Sequence, residues 1–300
     1  DEHYDLIVVG GGISGLAAAH FYRKEAGPDA KILILENHDD FGGHAKRNEF
    51  HVDGKLLLMN GGTVLISSPT PYSPVADGLL KHLGIYPEKL AKDTNNKDLH
   101  AKYSLGAGVF FDKETFGEDK FVLQAGGYKK SAKDTAKFLA QAPLSDAVRK
   151  DILAIETGSV DYMPGLTADE KKDRLSRMSY ADYLLDVVKA NPGVMPYYLH
   201  VTDAYWGCGI DAISALDCWG IGWPGFDGLK LPRTATARMG YTPGKQLETG
   251  GSYQYAFPDG NASIARLLVR DLIPAAVPGT TVEDCVTART NYAKLDKSGN

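Results

Sequence analysis

The chain has few cysteines, no long apolar run and no large excess of charge of one sign. Its three cysteines, Cys208, Cys218 and Cys285, form no C-x-x-C pair, zinc pattern or haem-attachment motif, and their odd number argues against a disulfide framework. We expect them to be small buried residues. No apolar run is long enough to cross a bilayer as a helix. The net charge of −5 disfavours nucleic acid as a partner. These absences favour a globular chain with no membrane span and no nucleic-acid partner.

A glycine-rich turn near the start of the chain lies between an apolar strand and a helix. Residues 4–9 (YDLIVV) predict a buried strand, and residues 10–15 (GGGISG) follow the pattern G-x-G-x-x-G. The alanine-rich residues 13–24 predict a helix, and a second apolar strand, residues 31–35, ends on Glu36. These elements in this order predict a βαβ unit that binds a dinucleotide. A glycine turn without a nucleotide is the alternative, and the order of elements disfavours it.

Each residue of the turn has a distinct role in such a unit. Gly10 permits the tight turn, Gly12 lets the backbone approach a pyrophosphate, and Gly15 lets the helix pack on the sheet. Ser14 either donates to a phosphate oxygen or is an ordinary polar residue at a helix start. Glu36, at the end of a strand, is expected to accept hydrogen bonds from the adenosine ribose.

Two further glycine pairs indicate a larger ligand than a nicotinamide nucleotide. One pair follows Glu36 and precedes basic residues, and the other follows a predicted hairpin. Glycine pairs let a flat ligand lie against the backbone, which FAD requires along its pyrophosphate and beside its isoalloxazine ring. Ordinary turns are the alternative. The pattern favours FAD, with further contacts expected from Gly42, Gly43, His44, Arg47, Gly61, Gly62 and Thr63.

Apolar periodicity and turn signals predict the remaining elements. Asp53-Gly54, between two runs rich in apolar residues, predicts a β-hairpin. Short strands are predicted over residues 109–111 and 120–123. Helices are predicted over residues 75–83, 131–141, 145–156, 179–190 and 263–273, with a capping box formed by Ser179 and Asp182.

The opening residues resemble the flavin-containing amine oxidase superfamily. The likeness lies in residues 8–18 (VVGGGISGLAA), in Glu36 and in the doublet Gly42-Gly43. More closely, residues 4–50 and residues 250–263 (GGSYQYAFPDGNAS) resemble the bacterial spermidine dehydrogenases. The first likeness is specific to FAD binding, and the second rests on fewer diagnostic positions.

The resemblance implies an α/β fold of two lobes. One is a Rossmann-like FAD lobe of the GR2 type, and the other is an α+β lobe that covers the flavin and binds substrate. We expect residues 1–72 to form the FAD-binding βαβ unit and hairpin, residues 73–250 mostly the substrate or cap lobe, and residues 251–300 a return to the FAD lobe.

The resemblance also implies features beyond this chain. The chain is expected to be the N-terminal half of a larger flavoprotein, so a second polypeptide with the C-terminal half is expected to complete the sheet. Haem b is implied as a further cofactor by the resemblance alone. A periplasmic location is implied in the same way, with a leader removed, and a cytoplasmic location stays open.

The implied activity is oxidation of a polyamine such as spermidine by hydride transfer to flavin N5, which gives an imine that hydrolyses to an aldehyde and an amine. Most aromatic residues between 195 and 260 are expected to pack in the core. Four are candidates to bind an aliphatic cation through cation–π contacts: Tyr205, Trp206, Trp223 and Tyr255. Four acids are candidates to hold ammonium groups: Asp203, Asp211, Asp217 and Asp227. No residue is assigned a catalytic role.

Two alternative functions stay open. The same scaffold oxidises other amines, amino acids or alcohols, and a buried arginine in the pocket would indicate a carboxylate substrate. The fold also serves non-catalytic escort proteins. That function needs a damaged nucleotide turn, whereas the turn here is intact.

Overall fold

The computed structural model describes residues 2–66, 72–94, 96, 98–124, 131–241, 243 and 255–295. The chain divides into two compact units, the first made of residues 1–97 and 249–300 and the second of residues 98–248. Residues 250–254, which contribute to the resemblance, lie outside the described residues.

The strands are, in chain order, β1 (Leu6–Val9), β2 (Ile32–Leu35), β3 (Arg47–Val52), β4 (Lys55–Asn60), β5 (Ala107–Phe111) and β6 (Lys120–Gln124). The α-helices are α1 (Ile13–Ala26), α2 (Pro74–His82), α3 (Pro87–Thr94), α4 (Leu99–Lys102), α5 (Lys113–Phe116), α6 (Ala132–Leu139), α7 (Asp146–Thr157), α8 (Ala168–Leu175), α9 (Tyr180–Asp182), α10 (Met195–Tyr198), α11 (Asp203–Trp206), α12 (Ala215–Ile221), α13 (Ala262–Leu272) and α14 (Val282–Thr287).

The first unit opens with the predicted βαβ arrangement. Strands β1 and β2 are parallel, with Leu6 opposite Ile32 and Val9 opposite Leu35, and α1 connects them. Helix α1 ends at Gly27, whose φ of 101° disfavours side chains, so the chain can turn back into β2. The sequence prediction for this segment is confirmed.

The hairpin predicted at Asp53-Gly54 is confirmed. Strands β3 and β4 are antiparallel, with Val52 opposite Lys55 at the turn. Asp53 and Gly54 have φ of 50° and 74°, the pair of positive values that a tight two-residue hairpin requires.

Helices α2 and α3 belong to the first unit, whereas the sequence analysis placed them in the cap lobe. Contacts with the C-terminal helices explain the difference. His82, the last residue of α2, lies 2.8 Å from Asp271 on α13. Lys89 on α3 lies 2.9 Å from Glu283 on α14. Helix α13 also packs along α1, where Arg23 donates to the Leu272 carbonyl at 2.7 Å.

The second unit has its own core, which is formed by side chains of the antiparallel pair β5–β6 and of helices α6 to α12. The helix predicted over residues 179–190 is instead the short α9 followed by a π-helical turn over Tyr183–Val187. Its capping box is confirmed, because Ser179 Oγ accepts the Asp182 N–H at 3.0 Å.

Aromatic side chains fill this core. The ring of Tyr183 stacks on Phe226 with centroids 4.6 Å apart, and Tyr180 stacks on Phe226 at 5.4 Å. The buried hydroxyls are paired: Tyr180 donates to Pro224 O at 2.8 Å and Tyr183 to Gly225 O at 2.7 Å. Three rings of the aromatic-rich residues 195–260 belong to this core, namely Tyr198, Trp219 and Phe226, so core packing is their role.

Within the described part of the chain, none of the helices combines the length and apolar character needed to cross a bilayer.

Candidate functional site

The two glycine motifs of the first unit meet at their backbones. The Gly42 N–H donates to the Gly11 carbonyl at 2.8 Å, and Gly12 and Gly42 form a parallel bridge. A Cβ on Gly43, whose φ is +58°, would lie 3.2 Å from Gly12 Cα. Glycine at these positions therefore lets the loop after β2 lie directly against the phosphate turn.

The turn between β1 and α1 is as tight as its motif predicts. The Gly10 N–H donates to the Leu35 carbonyl at 2.7 Å, and Gly10 has φ +103°, outside the range that other residues favour. A Cβ on Gly15 would lie 2.0 Å from the Gly10 carbonyl oxygen. Gly15 thus permits the close contact of helix and turn, which is the role expected of it.

One cavity of about 570 Å³ lies over both motifs. This volume is in the range of small-molecule sites, about 300–1,000 Å³. Eight of the residues predicted to bind the cofactor line it: Gly10, Gly12, Ser14, Gly15, Gly42, Gly43, His44 and Thr63. Its lining also includes residues that were not predicted as ligand contacts: Val9, Ile13, His38, Ala45, Lys46 and Asn261.

The carboxylate of Glu36 lies beside the phosphate turn. Its Oε2 accepts the Gly11 N–H at 2.7 Å, and its Oε1 accepts the His38 N–H at 2.9 Å. These bonds, the one from His38 foremost, lower the pKa of Glu36, although desolvation acts in the opposite direction. The carboxylate is therefore ionised at neutral pH, and its remaining lone pairs can accept further hydrogen bonds.

Asn261 contributes a polar atom from a turn that the sequence predicted either to approach the flavin or to cap α13. Its backbone N–H donates to Thr63 O at 3.0 Å, and its side-chain Nδ2 donates to Leu65 O at 3.0 Å. Its Oδ1 is buried and has no hydrogen-bond partner in the described part of the chain. A buried acceptor without a partner is rare and points to a ligand or an ordered water. The turn Asp259-Gly260-Asn261 before α13 was the available signal.

Four of the predicted cofactor residues do not line this cavity: Glu36, Arg47, Gly61 and Gly62. A Cβ on Gly62 would lie 2.0 Å from the His44 carbonyl oxygen, so Gly62 and its neighbour Gly61 let the chain after β4 pack on that loop. Arg47 lies at a neighbouring cavity of about 620 Å³, where it pairs with Asp259 at 3.0 Å and with Glu49. Burial acts to lower the pKa of Arg47, but these acids outweigh it and raise the pKa.

The four aromatic candidates for the substrate pocket fall in both units. Tyr205, Trp206 and Trp223 are in the second unit and Tyr255 is in the first. Tyr205 is 60% exposed, and its ring centroid lies 5.7 Å from that of Trp206. Trp223 Nε1 is buried and has no hydrogen-bond partner among the described residues. Tyr255 is buried in the first unit.

Two of the acidic candidates have local partners. Asp217 accepts the Gly240 and Tyr241 N–H groups, each at 2.8 Å, and the Ser214 hydroxyl at 2.8 Å. Its carboxylate thus holds a turn onto the start of α12. Asp203 pairs with His200 at 2.9 Å. These contacts favour a structural role for Asp217 over the binding of an ammonium group.

Comparison with known proteins gives a family match for the N-terminal residues of the chain. Residues 8–83 match the family described as NAD(P)-binding Rossmann-like domain. The chain carries a Rossmann-like dinucleotide-binding domain. The oxidoreductase PigB of Serratia sp. (strain ATCC 39006) is 34% identical over 84 residues, which are 28% of this chain and 11% of PigB.

Solved structures add a distant likeness. A putrescine oxidase variant matches 73% of this chain and 41% of its own length at 18% identity, with a TM-score of 0.33. A fatty acid isomerase from P. acnes that produces CLA matches 91% of this chain and 50% of its own length at 15% identity, with a TM-score of 0.40. These scores are too low to carry a structural argument. The chain spans at most half the length of each of these relatives.

Proposed function

We propose that this chain binds FAD in the cavity over its two glycine motifs and belongs to an FAD-dependent oxidoreductase. The observation that carries the proposal is the contact between the motifs, where the backbones of Gly12 and Gly43 lie together at one cavity wall. One glycine turn serves a nicotinamide nucleotide. The second pair extends the exposed backbone, as a longer ligand requires.

The residues of the cavity fit the parts of FAD. The N–H groups at the start of α1, with Ser14, would hold the pyrophosphate. Glu36 would accept hydrogen bonds from the adenosine ribose beside Gly11. The unpaired Oδ1 of Asn261 would accept an N–H or O–H group of the flavin half. Four predicted FAD contacts do not line the cavity: Glu36, Gly61, Gly62 and Arg47. Glu36 is supported by its hydrogen bond with the Gly11 N–H, and the other three have less support.

The proposed reaction is the oxidation of an amine. Bound FAD would supply a hydride acceptor at flavin N5. The carbon beside a neutral amine nitrogen would give up a hydride while the nitrogen lone pair forms the C=N bond. The iminium would release its N–H proton to water, and the imine would take up water to give an aldehyde and an amine. An aromatic-walled pocket would favour the neutral amine, because desolvation disfavours its charge. Tyr205, Trp206 and Trp223 of the second unit and, separately, Tyr255 of the first stay predictions from the sequence, and no catalytic residue is assigned.

The second polypeptide expected from the sequence stays a prediction. Exposed apolar side chains on the two parallel strands are consistent with it. Ile7 and Val9 on β1 expose 56% and 85% of their surface, and Leu35 on β2 exposes 49%. Strands of a parallel sheet are ordinarily covered on both faces.

Cofactor binding can be tested by titrating the purified chain with FAD and following the quenching of flavin fluorescence. We expect saturable binding that NAD⁺ and NADP⁺ do not displace. Glu36→Ala should weaken binding about tenfold or more, since it removes the ribose acceptor. Glu25→Ala, an exposed acid on the same βαβ unit, is the matched control and should bind like the wild type. Displacement of FAD by a nicotinamide nucleotide would refute the proposal.

The substrate class can be tested separately. The FAD-loaded protein is mixed with an artificial electron acceptor and with spermidine, putrescine, an amino acid or an alcohol. Fastest dye reduction with spermidine is expected. Faster reduction with the amino acid or the alcohol would indicate an FAD enzyme that oxidises that class of substrate instead of a polyamine. FAD binding without reduction by any of them, in a protein that also contains the predicted second polypeptide, would favour the non-catalytic alternative.

A further inference from the structure

Two histidines and one aspartate from three helices of the first unit meet away from the nucleotide cavity. His20 lies on α1, His82 ends α2, and Asp271 lies on α13. Asp271 Oδ2 is 2.7 Å from His20 Nδ1, and Asp271 Oδ1 is 2.8 Å from His82 Nε2. The two imidazole rings have centroids 4.7 Å apart and planes inclined at 52°. Both rings are therefore directed at one carboxylate.

We propose that His20, His82 and Asp271 bind a zinc-class divalent metal ion. One ligand atom from each of the three residues can be chosen so that all lie within 4.8 Å of one another. Two imidazoles and a carboxylate suit zinc and similar transition metals, whereas magnesium and calcium prefer oxygen ligands alone. Three protein ligands leave a fourth position for water.

The adjustment that the metal requires is small. Zinc bonds of about 2.1 Å in tetrahedral geometry separate the ligand atoms by about 3.4 Å. Asp271 would bind the ion through one oxygen, and the contact of 2.7 or 2.8 Å that this oxygen makes with its histidine would lengthen by about 0.6–0.7 Å. The other histidine would turn from the second oxygen to the ion. Each imidazole must also carry its proton on the other ring nitrogen, because a metal binds the lone pair of a neutral imidazole. The metal bonds thus replace two N–H···O hydrogen bonds, with no net change in bound protons when both rings are neutral.

The three-residue site has one buried ligand and one exposed ligand, so it is held in place and can still be reached by an ion. The His20 side chain is 9% exposed and is fixed between α1 and α13. The His82 side chain is 51% exposed, so the ion and its water can enter from that side. Neighbouring cations have partners of their own: Arg23 donates to the Leu272 carbonyl at 2.7 Å, and Lys81 pairs with Asp77 at 2.6 Å.

The position of the site assigns the metal a structural role. His20 is eight residues beyond Gly12, which at about 1.5 Å of rise per residue places it about 12 Å along α1 from the phosphate turn. The ion would join α1, α2 and α13 and would not contact the dinucleotide. Binding of the ion to the folded state alone would then raise the stability of this unit.

The test is a zinc titration of the full chain, first stripped of metal with a chelator. Equilibrium dialysis with elemental analysis gives the stoichiometry, and competition with a chromogenic chelator gives the affinity. We compare the wild type with His82→Gln, Asp271→Asn and His200→Gln. His200 contacts one carboxylate, that of Asp203, at 2.9 Å, so its variant controls for a single exposed histidine–aspartate contact.

One zinc ion per chain is expected in the wild type and in His200→Gln, with an increase in the midpoint of thermal unfolding. His82→Gln and Asp271→Asn should each weaken zinc binding at least about tenfold and lose that increase. His82 is half exposed at a helix end, so its variant should fold normally, which circular dichroism checks. Cobalt bound in place of zinc should show the visible absorption of a tetrahedral site in the wild type and in His200→Gln, but not in His82→Gln or Asp271→Asn.

Three results would overturn the proposal. The first is a wild-type chain that binds no zinc, and the second is equal zinc affinity in all four proteins. The third is displacement of zinc by an equal concentration of magnesium, which would exclude an imidazole site. In any of these cases the three residues only connect α1, α2 and α13 through two hydrogen bonds.

Discussion

Replacing Gly15 by alanine is expected to destabilise the first unit and to weaken FAD binding. The new Cβ would lie 2.0 Å from the Gly10 carbonyl oxygen and 3.1 Å from Val8 Cγ1. An ordinary C···O contact is about 3.3 Å, so α1 and the turn would have to separate by about 1.3 Å. Overpacking costs about 1–3 kcal/mol, and we expect the upper end because the nearest atom is backbone and cannot rotate away.

Two other glycines separate crowding from backbone strain. Gly10 has open space around its missing side chain but a φ of +103°, so Gly10→Ala should cost at least about 1 kcal/mol through strain alone. Gly78 lies within α2 and has neither problem. Gly78→Ala should therefore stabilise the chain by about 0.5–1 kcal/mol, since alanine loses less backbone entropy in a helix.

The free energy of unfolding of each variant is measured by urea denaturation, with and without FAD. From most to least stable, the expected order is Gly78→Ala, wild type, Gly10→Ala and Gly15→Ala. FAD affinity should fall in the two turn variants and stay unchanged in Gly78→Ala. A Gly15→Ala protein that is as stable as the wild type and binds FAD equally well would refute the packing argument.

Three further predictions concern buried charges and thiols. Asp259→Ala should lower the free energy of unfolding by about 3 kcal/mol in urea denaturation, because among the described residues it leaves the buried guanidinium of Arg47 with the exposed Glu49 as its one acidic partner. Burial raises the pKa of Cys218 to about 12, so a chromogenic disulfide reagent should label half-buried Cys208 first and Cys218 only after unfolding. Burial acts to raise the pKa of Asp271, but hydrogen bonds with its two histidines outweigh it and lower the pKa. Its stabilisation is therefore present above the unfolded pKa of about 3.9 and lost as pH falls below it, so in a chelating buffer wild type and Asp271→Asn should converge in stability at low pH.

Each of these three predictions has a control variant or a result that would contradict it. Asp77→Ala removes an exposed pair with Lys81 and should change stability little. Equal labelling rates of Cys208 and Cys218 in the folded chain would contradict the burial of Cys218. A constant stability difference between wild type and Asp271→Asn from pH 7 to below the usual aspartate pKa would contradict the proposed linkage.

The opening βαβ unit could be predicted because its determinants are local. A strand, a glycine turn and a helix follow one another within residues 6–26, and glycine is required at Gly10 and Gly15 for reasons that a short segment already contains. The Asp53-Gly54 hairpin was predictable for the same reason, since two neighbouring positive φ angles determine its turn.

Contacts between distant segments could not be predicted in the same way. Asn261 reaches the cavity because its backbone pairs with Thr63, nearly 200 residues earlier in the chain. Arg47 follows the glycine doublet and was predicted as a cofactor ligand; the structure places it at the neighbouring cavity, where it pairs with Asp259. The boundary after residue 72 placed α2 with the cap lobe, because nothing local shows that His82 contacts Asp271.

By itself the sequence determined the Rossmann-like segment, since steric limits on φ and ψ and the loss of N–H partners at a helix start act over a few residues. Tertiary structure alone decided which polar atoms are left without a partner at the cavity. It also decided which basic residues are neutralised by acids and which histidines share a carboxylate. These properties depend on burial and on distances between segments far apart in the chain, and no short stretch of residues contains them.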